Sequence, residues 1–238
     1  MPDTISLRTV AKMLDHSTLQ PYLTPDDVRR GCDVALKYGT ATVCARPYDM
    51  PLVVKSLRGS DVKPCTVIGF PHGAHHASVK VFESERALDD GCKELDMVIN
   101  IGMLLAGESK YVQDEIAKLA FAAHVRSAIL KVIIETCYLS DEQKTLVCKL
   151  AEAAGADFVK TSTGYGSAGA TIHDVALMRA AVGPKVLVKA SGGIRTLDTV
   201  LACRAAGAAR CGVSATEKIM EEAIKREQDG ALFAAPAE

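Results

Sequence analysis

Two lysine residues lie in similar surroundings, 29 positions apart in the sequence. Lys160 occurs in FVKTSTG (158–164) and Lys189 in VLVKASGG (186–193), each at the end of a short apolar stretch that small hydroxyl residues and glycine follow. This pattern predicts two buried strands that lead into tight loops. Burial and a second cation nearby both favour the neutral amine, which is the form that attacks a carbonyl carbon to give a Schiff base. For either lysine alone, a strand-end side chain that reaches solvent is the simpler interpretation.

Asp96 is an acidic residue inside the apolar segment ELDMVIN (94–100). A carboxylate near the two lysines can balance one charge and transfer protons as a general acid or base. The alternative is a buried carboxylate that only satisfies a backbone or lysine partner. Side chains alternate between the faces of a strand, so three pairs are predicted to face one interior: Asp96 with Val98, Lys160 with Ser162, and Leu187 with Lys189.

The lysines and the aspartate belong to a regular alternation of apolar and amphipathic segments. Capping patterns begin three helices, at Thr24, Ser140 and Thr171. Gly39 and Gly155 follow the ends of two of these helices. Further helices are predicted at 78–90, 108–125, 196–206 and 216–227. The predicted strands are 41–45, 65–70, 95–100, 130–136, 158–163, 186–191 and 210–214, with a weaker first strand at 14–19.

This alternation predicts the α/β class with a mainly parallel sheet. Seven clear strand–helix units and the weaker first strand favour a (β/α)8 TIM barrel, whose usual length is about 250 residues. The competing architecture is a doubly wound open sheet. No segment rich in proline, glycine or serine divides the chain, so residues 1–238 are predicted to form a single barrel domain.

Glycine residues follow the last two predicted strands. Gly192 and Gly193 follow the first of them, and Gly212 and Ser214 precede a helix that begins near Thr216. Exposed backbone N–H groups and helix N-termini both attract anions. In barrels, the phosphate of a substrate commonly binds after the seventh and eighth strands, so these loops predict a phosphate site. Simple turn glycines are the alternative.

Gly164, Gly166 and Gly169 match the G-x-G-x-x-G string of dinucleotide-binding proteins. A dinucleotide site also requires an acidic residue about 20 positions further on, where this chain has the apolar strand that ends in Lys189. We therefore interpret the string as a glycine-rich edge of the pocket and predict no cofactor.

His72, His75 and His76 in PHGAHH could suggest a metal site. Their spacing is not that of a helical zinc-binding pair, and no carboxylate follows them closely before Glu83. The sequence predicts a solvated loop and no metal ion.

The composition, with 48% hydrophobic residues and a net charge of −1, is that of an ordinary globular protein. Such a charge does not favour nucleic acid or anionic lipid as a partner. No stretch reaches the roughly 20 apolar residues of a membrane helix, and the first residues lack the apolar centre of a signal peptide. The cysteines are scattered, without metal-ligand spacing. These features predict a cytoplasmic protein that binds neither nucleic acid nor a membrane.

Several motifs resemble those of the deoxyribose-phosphate aldolases, a family of class I aldolases. The most specific are ELDMVINIG (94–102), FVKTSTGYG (158–166) and VKASGGIR (188–195), and the similarity covers nearly the whole chain. The resemblance implies a TIM barrel that reversibly cleaves 2-deoxy-D-ribose 5-phosphate into acetaldehyde and D-glyceraldehyde 3-phosphate, without a metal. Small phosphosugars and aldehydes are then the expected partners, together with further copies of the chain in a dimer or tetramer.

The resemblance also implies roles for single residues. Lys160 matches the Schiff-base nucleophile, and Lys189 matches the neighbour that favours its neutral form and takes part in proton transfer. Asp96 matches the aspartate of the proton relay. Residues that match the sugar pocket are Asp15, Thr18, Cys44, Lys131 and Thr163. Residues that match phosphate-binding positions are Gly164, Gly192, Gly193, Gly212 and Ser214.

The chain departs from the family pattern at Gln20, His72, Tyr165 and Ala215, where many or some members have Lys, Leu, Lys and Ser, respectively. These departures concern phosphate affinity and substrate range. Two alternatives stay open. One is another lysine-dependent phosphosugar aldolase or transaldolase. The other is a non-catalytic sugar-phosphate binding barrel, which would keep the glycine loops without needing both lysines.

Overall fold

The computed structural model describes residues 5–229 of the chain. Within them, eight parallel strands pair in chain order and close into a barrel. The strands are β1 (Leu14–Thr18), β2 (Thr42–Ala45), β3 (Lys63–Ile68), β4 (Glu94–Val98), β5 (Ile129–Ile133), β6 (Phe158–Lys160), β7 (Leu187–Ser191) and β8 (Ala208–Val213). The α-helices are α1 (Leu7–Met13), α2 (Pro25–Tyr38), α3 (Met50–Ser56), α4 (Ala77–Asp89), α5 (Ile101–Leu105), α6 (Ser109–His124), α7 (Asp141–Ala153), α8 (Ile172–Ala181), α9 (Leu197–Ala205) and α10 (Thr216–Gln228). The predicted (β/α)8 barrel is confirmed, and the open sheet is excluded.

Closure of the barrel depends on β1, the strand that the sequence signals most weakly. Its residue Asp15 is in register with Thr42 of β2 on one side and with Gly212 of β8 on the other. Asp15 therefore lies within a continuous ring of hydrogen-bonded strands, although it is an acidic residue. Because this strand contains several polar residues, a search for apolar runs detects it only weakly.

The predicted helix ends are present where the capping residues indicated them. The Thr24 side chain accepts a hydrogen bond from the Asp27 N–H, and the Asp27 carboxylate accepts one from the Thr24 N–H at 2.7 Å. Ser140 and Gln143 form the same reciprocal pair at the start of α7. Gly39 ends α2 with φ of 67°, in the left-handed region that glycine adopts without a Cβ clash.

Several predicted boundaries were wrong. Helices α1, α3 and α5 were not predicted, because each has at most seven residues and shows too little of the helical period. Strand β5 ends at Ile133 and β6 at Lys160, earlier than predicted. Hydrogen bonds nevertheless continue past both ends, for example from the Thr161 N–H to the Lys189 carbonyl at 3.0 Å. The segments that follow the strands are therefore held to the sheet as they turn into loops.

The apolar core lies between the sheet and the surrounding helices, where residues such as Leu95, Leu130 and Val188 are fully buried. The barrel interior is different. Its small apolar cluster consists of Cys44, Cys65 and Val67, and charged side chains such as Asp96 and Lys131 are buried beside it. Barrel interiors are usually filled by branched apolar residues, so buried charge at this position indicates a functional site.

No helix within residues 5–229 has the length and apolar character needed to cross a membrane. All the described strands belong to one barrel. Residues 1–4 and 230–238 lie outside the described part, so the assignment of the whole chain 1–238 to one domain stays a prediction.

Candidate active site

Lys160 and Lys189 are register partners on the neighbouring strands β6 and β7. Both side chains are buried, with exposed fractions of 3% and 1%. Each ammonium nitrogen lies 2.7 Å from the same oxygen, Oδ2 of Asp96. The two amines are thus neighbours, and a carboxylate that the sequence placed 64 residues before the first lysine bridges them.

Asp96 is fully buried on β4 and accepts hydrogen bonds on both carboxylate oxygens. Its Oδ1 atom accepts from Lys131 at 2.7 Å and from the Cys65 thiol at 3.3 Å. Burial opposes the charge of Asp96, but Lys131 and the two lysines at Oδ2 outweigh it and hold the pKa of Asp96 well below its ordinary value. Asp96 is therefore an ionised acceptor in the resting protein.

Further ion pairs extend below the lysines. Asp15 Oδ2 lies 2.5 Å from Lys189 Nζ, and Asp15 Oδ1 accepts from Arg210 at 2.6 Å. Glu94 contacts Lys131 at 2.7 Å and Arg210 at 3.3 Å. Burial alone would lower the pKa of Lys189 and of Lys131, but the surrounding carboxylates raise both above the ordinary value. Asp15 and Asp96 are the carboxylates that act most strongly on Lys189.

A cavity of about 530 Å³ opens at the carboxyl ends of the strands. Asp96 and Lys131 do not line it and contact the lining residues from beneath. The hydroxyl of Thr18, on the cavity wall, is buried and has no hydrogen-bond partner within residues 5–229. The predicted site residues that line the cavity are Asp15, Thr18, Cys44, Lys160, Thr163, Gly164, Lys189, Gly192, Gly193, Gly212 and Ser214.

At two positions of the cavity wall, neighbouring atoms lie too close to the backbone for a residue larger than glycine. A Cβ on Gly212 would lie 2.9 Å from the Ser191 Cβ, so a side chain there would displace Ser191 on the neighbouring strand. Gly192 has φ of 88°, and a Cβ on it would lie 2.8 Å from the Gly169 Cα. The last glycine of the G-x-G-x-x-G string thus packs against the loop after β7.

Glu135 follows strand β5 and holds the loop after the neighbouring strand β6 in place. It is buried and adopts a left-handed backbone conformation, with φ of 54°, directly after β5. Its carboxylate accepts from the Thr163 N–H at 3.1 Å and from the Thr163 hydroxyl. A left-handed conformation is uncommon for glutamate, so the surrounding contacts must hold it in place.

Sequence reasoning missed four residues of this region. Glu94 precedes Asp96 by two positions and therefore faces the same side of β4, a signal that the alternation rule contained. Arg210 could be found only from the register of β7 with β8, which pairs it with Lys189. Arg195 lines the cavity beside the glycine loop and forms no ion pair within residues 5–229. His16 faces the same cavity, and burial lowers its pKa to about 4, so it is neutral near pH 7.

The predicted histidine loop is exposed at His72, His75 and His76. Among the described residues, one group brings three potential metal ligands within 4.8 Å of one another, namely Cys44, Cys65 and Asp96. Three lysine ammonium groups already contact Asp96. Their positive charges disfavour an added cation.

The closed barrel and its paired lysines beside a glycine-lined cavity define the class of aldolases that act through a Schiff base. Residues 9–221 match the family described as DeoC/LacD family aldolase. The deoxyribose-phosphate aldolase of Thermococcus kodakarensis is 52% identical over 218 residues, which cover 91% of this chain and 97% of the relative. The chain therefore belongs to the DeoC/LacD family of aldolases, which are carbon–carbon lyases.

Solved structures agree with this assignment. A putative deoxyribose-phosphate aldolase from Coccidioides immitis has a TM-score of 0.88 and 40% identity, covering 91% of this chain and 86% of its own. The deoxyribose phosphate aldolase from Aeropyrum pernix, described as tetrameric, has a TM-score of 0.85 and 32% identity, covering 91% and 92%.

Proposed function

We propose that the protein is a class I aldolase that reversibly cleaves 2-deoxy-D-ribose 5-phosphate into acetaldehyde and D-glyceraldehyde 3-phosphate, with Lys160 as the nucleophile. The observation that carries the proposal is the contact of Lys160 and Lys189 with one buried Asp96 oxygen at the base of an open cavity. The names of the relatives support the choice of substrate.

The contacts favour Lys160 over Lys189 as the nucleophile. Lys189 lies between two carboxylates, Asp15 and Asp96, which stabilise its ammonium form. Within residues 5–229, Lys160 contacts Asp96 alone, and it shares that oxygen. Fewer carboxylates therefore stabilise a positive charge on Lys160, and only the neutral amine attacks a carbonyl.

The reaction follows from this assignment. The Lys160 amine adds to the C1 aldehyde of the open-chain sugar, and the carbinolamine loses water to give an iminium ion. The C3 hydroxyl then loses its proton, the C2–C3 bond breaks, and its electron pair forms an enamine with the iminium group. D-glyceraldehyde 3-phosphate leaves. Protonation of the enamine at C2 and addition of water release acetaldehyde and regenerate the amine.

Lys189 connects the cavity with the buried carboxylate. Asp96 does not line the cavity, so a proton passing between Asp96 and the substrate requires a group that reaches both. Lys189 lines the cavity and lies 2.7 Å from Asp96. It therefore transfers the protons that carbinolamine formation and enamine protonation require, and Lys131 keeps Asp96 in place through its other oxygen.

The cavity wall offers contacts for the rest of the sugar phosphate. The unpaired Thr18 hydroxyl and the hydroxyl of Thr163 suit the sugar hydroxyl groups, with Asp15 and Cys44 on the same wall. The backbone at Gly164, Gly192, Gly193 and Gly212 and the hydroxyl of Ser214 bind the phosphate. Arg195 adds a positive charge beside them.

Borohydride reduction in the presence of acetaldehyde tests the proposal. The expected result is an ethyl group on Lys160, located by peptide mapping, together with release of D-glyceraldehyde 3-phosphate from the deoxysugar phosphate. Lys160→Ala should abolish both signals, and Lys149→Ala, which changes an exposed lysine on α7, should keep both. An ethyl group on Lys189 alone, or cleavage of a different phosphosugar in preference, would contradict the proposal.

We also propose that the chain forms a homo-oligomer, a dimer or tetramer. Large apolar side chains are exposed on both sides of α4. Tyr48, Phe82 and Val79 are 88%, 70% and 49% exposed on one side, and Phe121 and Val125 are 71% and 60% exposed on the other. Exposed apolar patches of this kind mark association surfaces. The tetramer of the Aeropyrum pernix relative supports the proposal.

A further inference from the structure

The barrel interior holds three buried lysines and three buried carboxylates, and a fourth cation, the partly buried Arg210, contacts two of those carboxylates. Direct contacts connect seven ionisable side chains from six strands into one cluster. If every member were ionised, the cluster would carry one positive charge in excess. Such a charge is costly away from water. The cluster consists of three carboxylates, Asp15, Glu94 and Asp96, and four cations, Lys131, Lys160, Lys189 and Arg210.

Two thiols face the cluster from the remaining strands, Cys44 on β2 and Cys65 on β3. Burial raises the pKa of the Cys65 thiol well above its ordinary value, so this residue adds no charge. The neighbouring Cys65 side chain lowers the pKa of Cys44, which makes Cys44 an alternative source of negative charge. A Cys44 variant therefore belongs in the test.

Arg210 differs from the other cations because its guanidinium cannot lose a proton in a protein. It contacts Asp15 at 2.6 Å and Glu94 at 3.3 Å, and its guanidinium carbon lies 5.8 Å from the centre of the Phe158 ring. Arg210 thus partly neutralises two carboxylates: Asp15, which also contacts Lys189, and Glu94, which also contacts Lys131. Apart from ionisation of Cys44, the excess charge can be removed only by loss of a proton from a lysine.

We propose that Arg210 is a positioning residue for the aldolase reaction, whose permanent charge forces one lysine of the cluster to be neutral at rest. The inference rests on the proposed function, since it explains how the nucleophilic amine arises. Lys131 contacts three carboxylates and Lys189 two, whereas Lys160 contacts one within the described residues. Lys160 therefore has the fewest carboxylate partners of the three lysines.

Variants that change the charge count should move the pH profile in opposite directions. Arg210→Gln leaves three lysines with three carboxylates, so every ammonium has a counter-charge. The acidic limb of the pH profile, in which kcat/KM rises with pH, should move to higher pH by about one unit or more. Borohydride trapping with acetaldehyde should shift in the same direction and should recover in alkaline solution. Glu94→Gln leaves four cations with two carboxylates, and the limb should move to lower pH.

Further variants separate charge from structure. Glu94→Gln/Arg210→Gln restores the original excess of one cation and should return the limb towards the wild-type position. Arg210→Lys keeps a cation, so its acidic limb should lie closer to that of wild type than the limb of Arg210→Gln does. Arg226→Gln removes a partly exposed arginine on α10 and should leave the limb unmoved. If Arg210→Gln does not fold, the shift in Glu94→Gln and its reversal in the double variant decide the outcome.

Three results would overturn the inference. The first is a limb that stays in place in both single variants. The second is movement of both variants in the same direction, as general structural damage would produce. The third is movement of the limb in Cys44→Ser as large as that in Arg210→Gln, because the balancing charge would then be a thiolate. Failure of the proposed function is distinguishable, since in that case the wild-type protein would show no label on Lys160.

Discussion

Lys160 and Lys189 are both lysines and lie side by side on neighbouring strands. Their surroundings nevertheless differ. Lys189 lies 2.5 Å from Asp15 and 2.7 Å from Asp96, which keeps it an ammonium ion. Lys160 shares one Asp96 oxygen with it. In the proposed mechanism, this difference in carboxylate contacts, at nearly equal burial, distinguishes the nucleophile Lys160 from the proton-transfer group Lys189.

The role of Lys189 can be tested with two substitutions. Lys189→Ala should lower kcat by about 100-fold or more, because Asp96 loses its connection to the cavity. Lys189→Arg keeps the positive charge but cannot release a proton, and kcat should fall to a similar extent. Steady-state kinetics measure both effects, and circular dichroism verifies folding. Wild-type turnover in Lys189→Arg would show that only the charge of Lys189 matters.

At the scale of elements, the loop after β6 depends on the segment after β5. Glu135 adopts a left-handed conformation there and accepts two hydrogen bonds from Thr163. Thr163 and Gly164 line the cavity, so the proposed binding position of the sugar phosphate would depend on Glu135, which does not line it. Glu135 acts as a support for the binding loop, outside the reacting groups.

Glu135→Gly should remove the carboxylate and also relieve the left-handed conformation. The Thr163 N–H and hydroxyl lose their acceptor, so the loop loosens. We expect KM for the phosphorylated sugar to rise about tenfold or more, with a smaller decrease in kcat. Trapping of acetaldehyde on Lys160 should persist. Glu135→Gln, which keeps one carbonyl acceptor, should have an intermediate KM. An unchanged KM in Glu135→Gly would exclude a supporting role.

At the scale of the whole molecule, the apolar surface around α4 is the feature that the isolated chain leaves unexplained. Phe82 is 70% exposed and Phe121 71% exposed, on opposite sides of this helix. Charged residues accompany them, including the Arg86–Asp90 and Arg126–Asp89 pairs. An apolar centre with a charged rim is the usual anatomy of a protein interface. The active-site cavity does not include these residues.

Phe82→Asp should weaken association if this surface joins two copies. Burying an unpaired carboxylate in an apolar contact is costly, so the variant should form smaller particles than wild type at the same concentration. Light scattering after size-exclusion chromatography measures the change. Leu146→Asp replaces an exposed apolar residue on α7 and should leave the mass unchanged. A monomeric wild type, or equal masses for wild type and Phe82→Asp, would contradict the proposed homo-oligomer.

The alternation of strands and helices could be predicted from the sequence, because apolar periodicity and capping residues such as Thr24 and Ser140 act over a few neighbouring positions. The sequence also indicated the two lysine strands, Asp96 and the glycine loops. The short helices and the ends of β5 and β6 escaped prediction, since tertiary hydrogen bonds set them.

How these groups meet depends on contacts between strands that are far apart in the sequence. Closure of the barrel brings Asp15 and Arg210, which are 195 positions apart, into contact at 2.6 Å. It also places Asp96 under both lysines. The protonation of a buried lysine depends on the charges within a few ångströms of it, and those charges come from strands that are distant in sequence. Strand register and barrel closure therefore determined what local sequence patterns could not, namely which lysine is left with the fewest carboxylate partners.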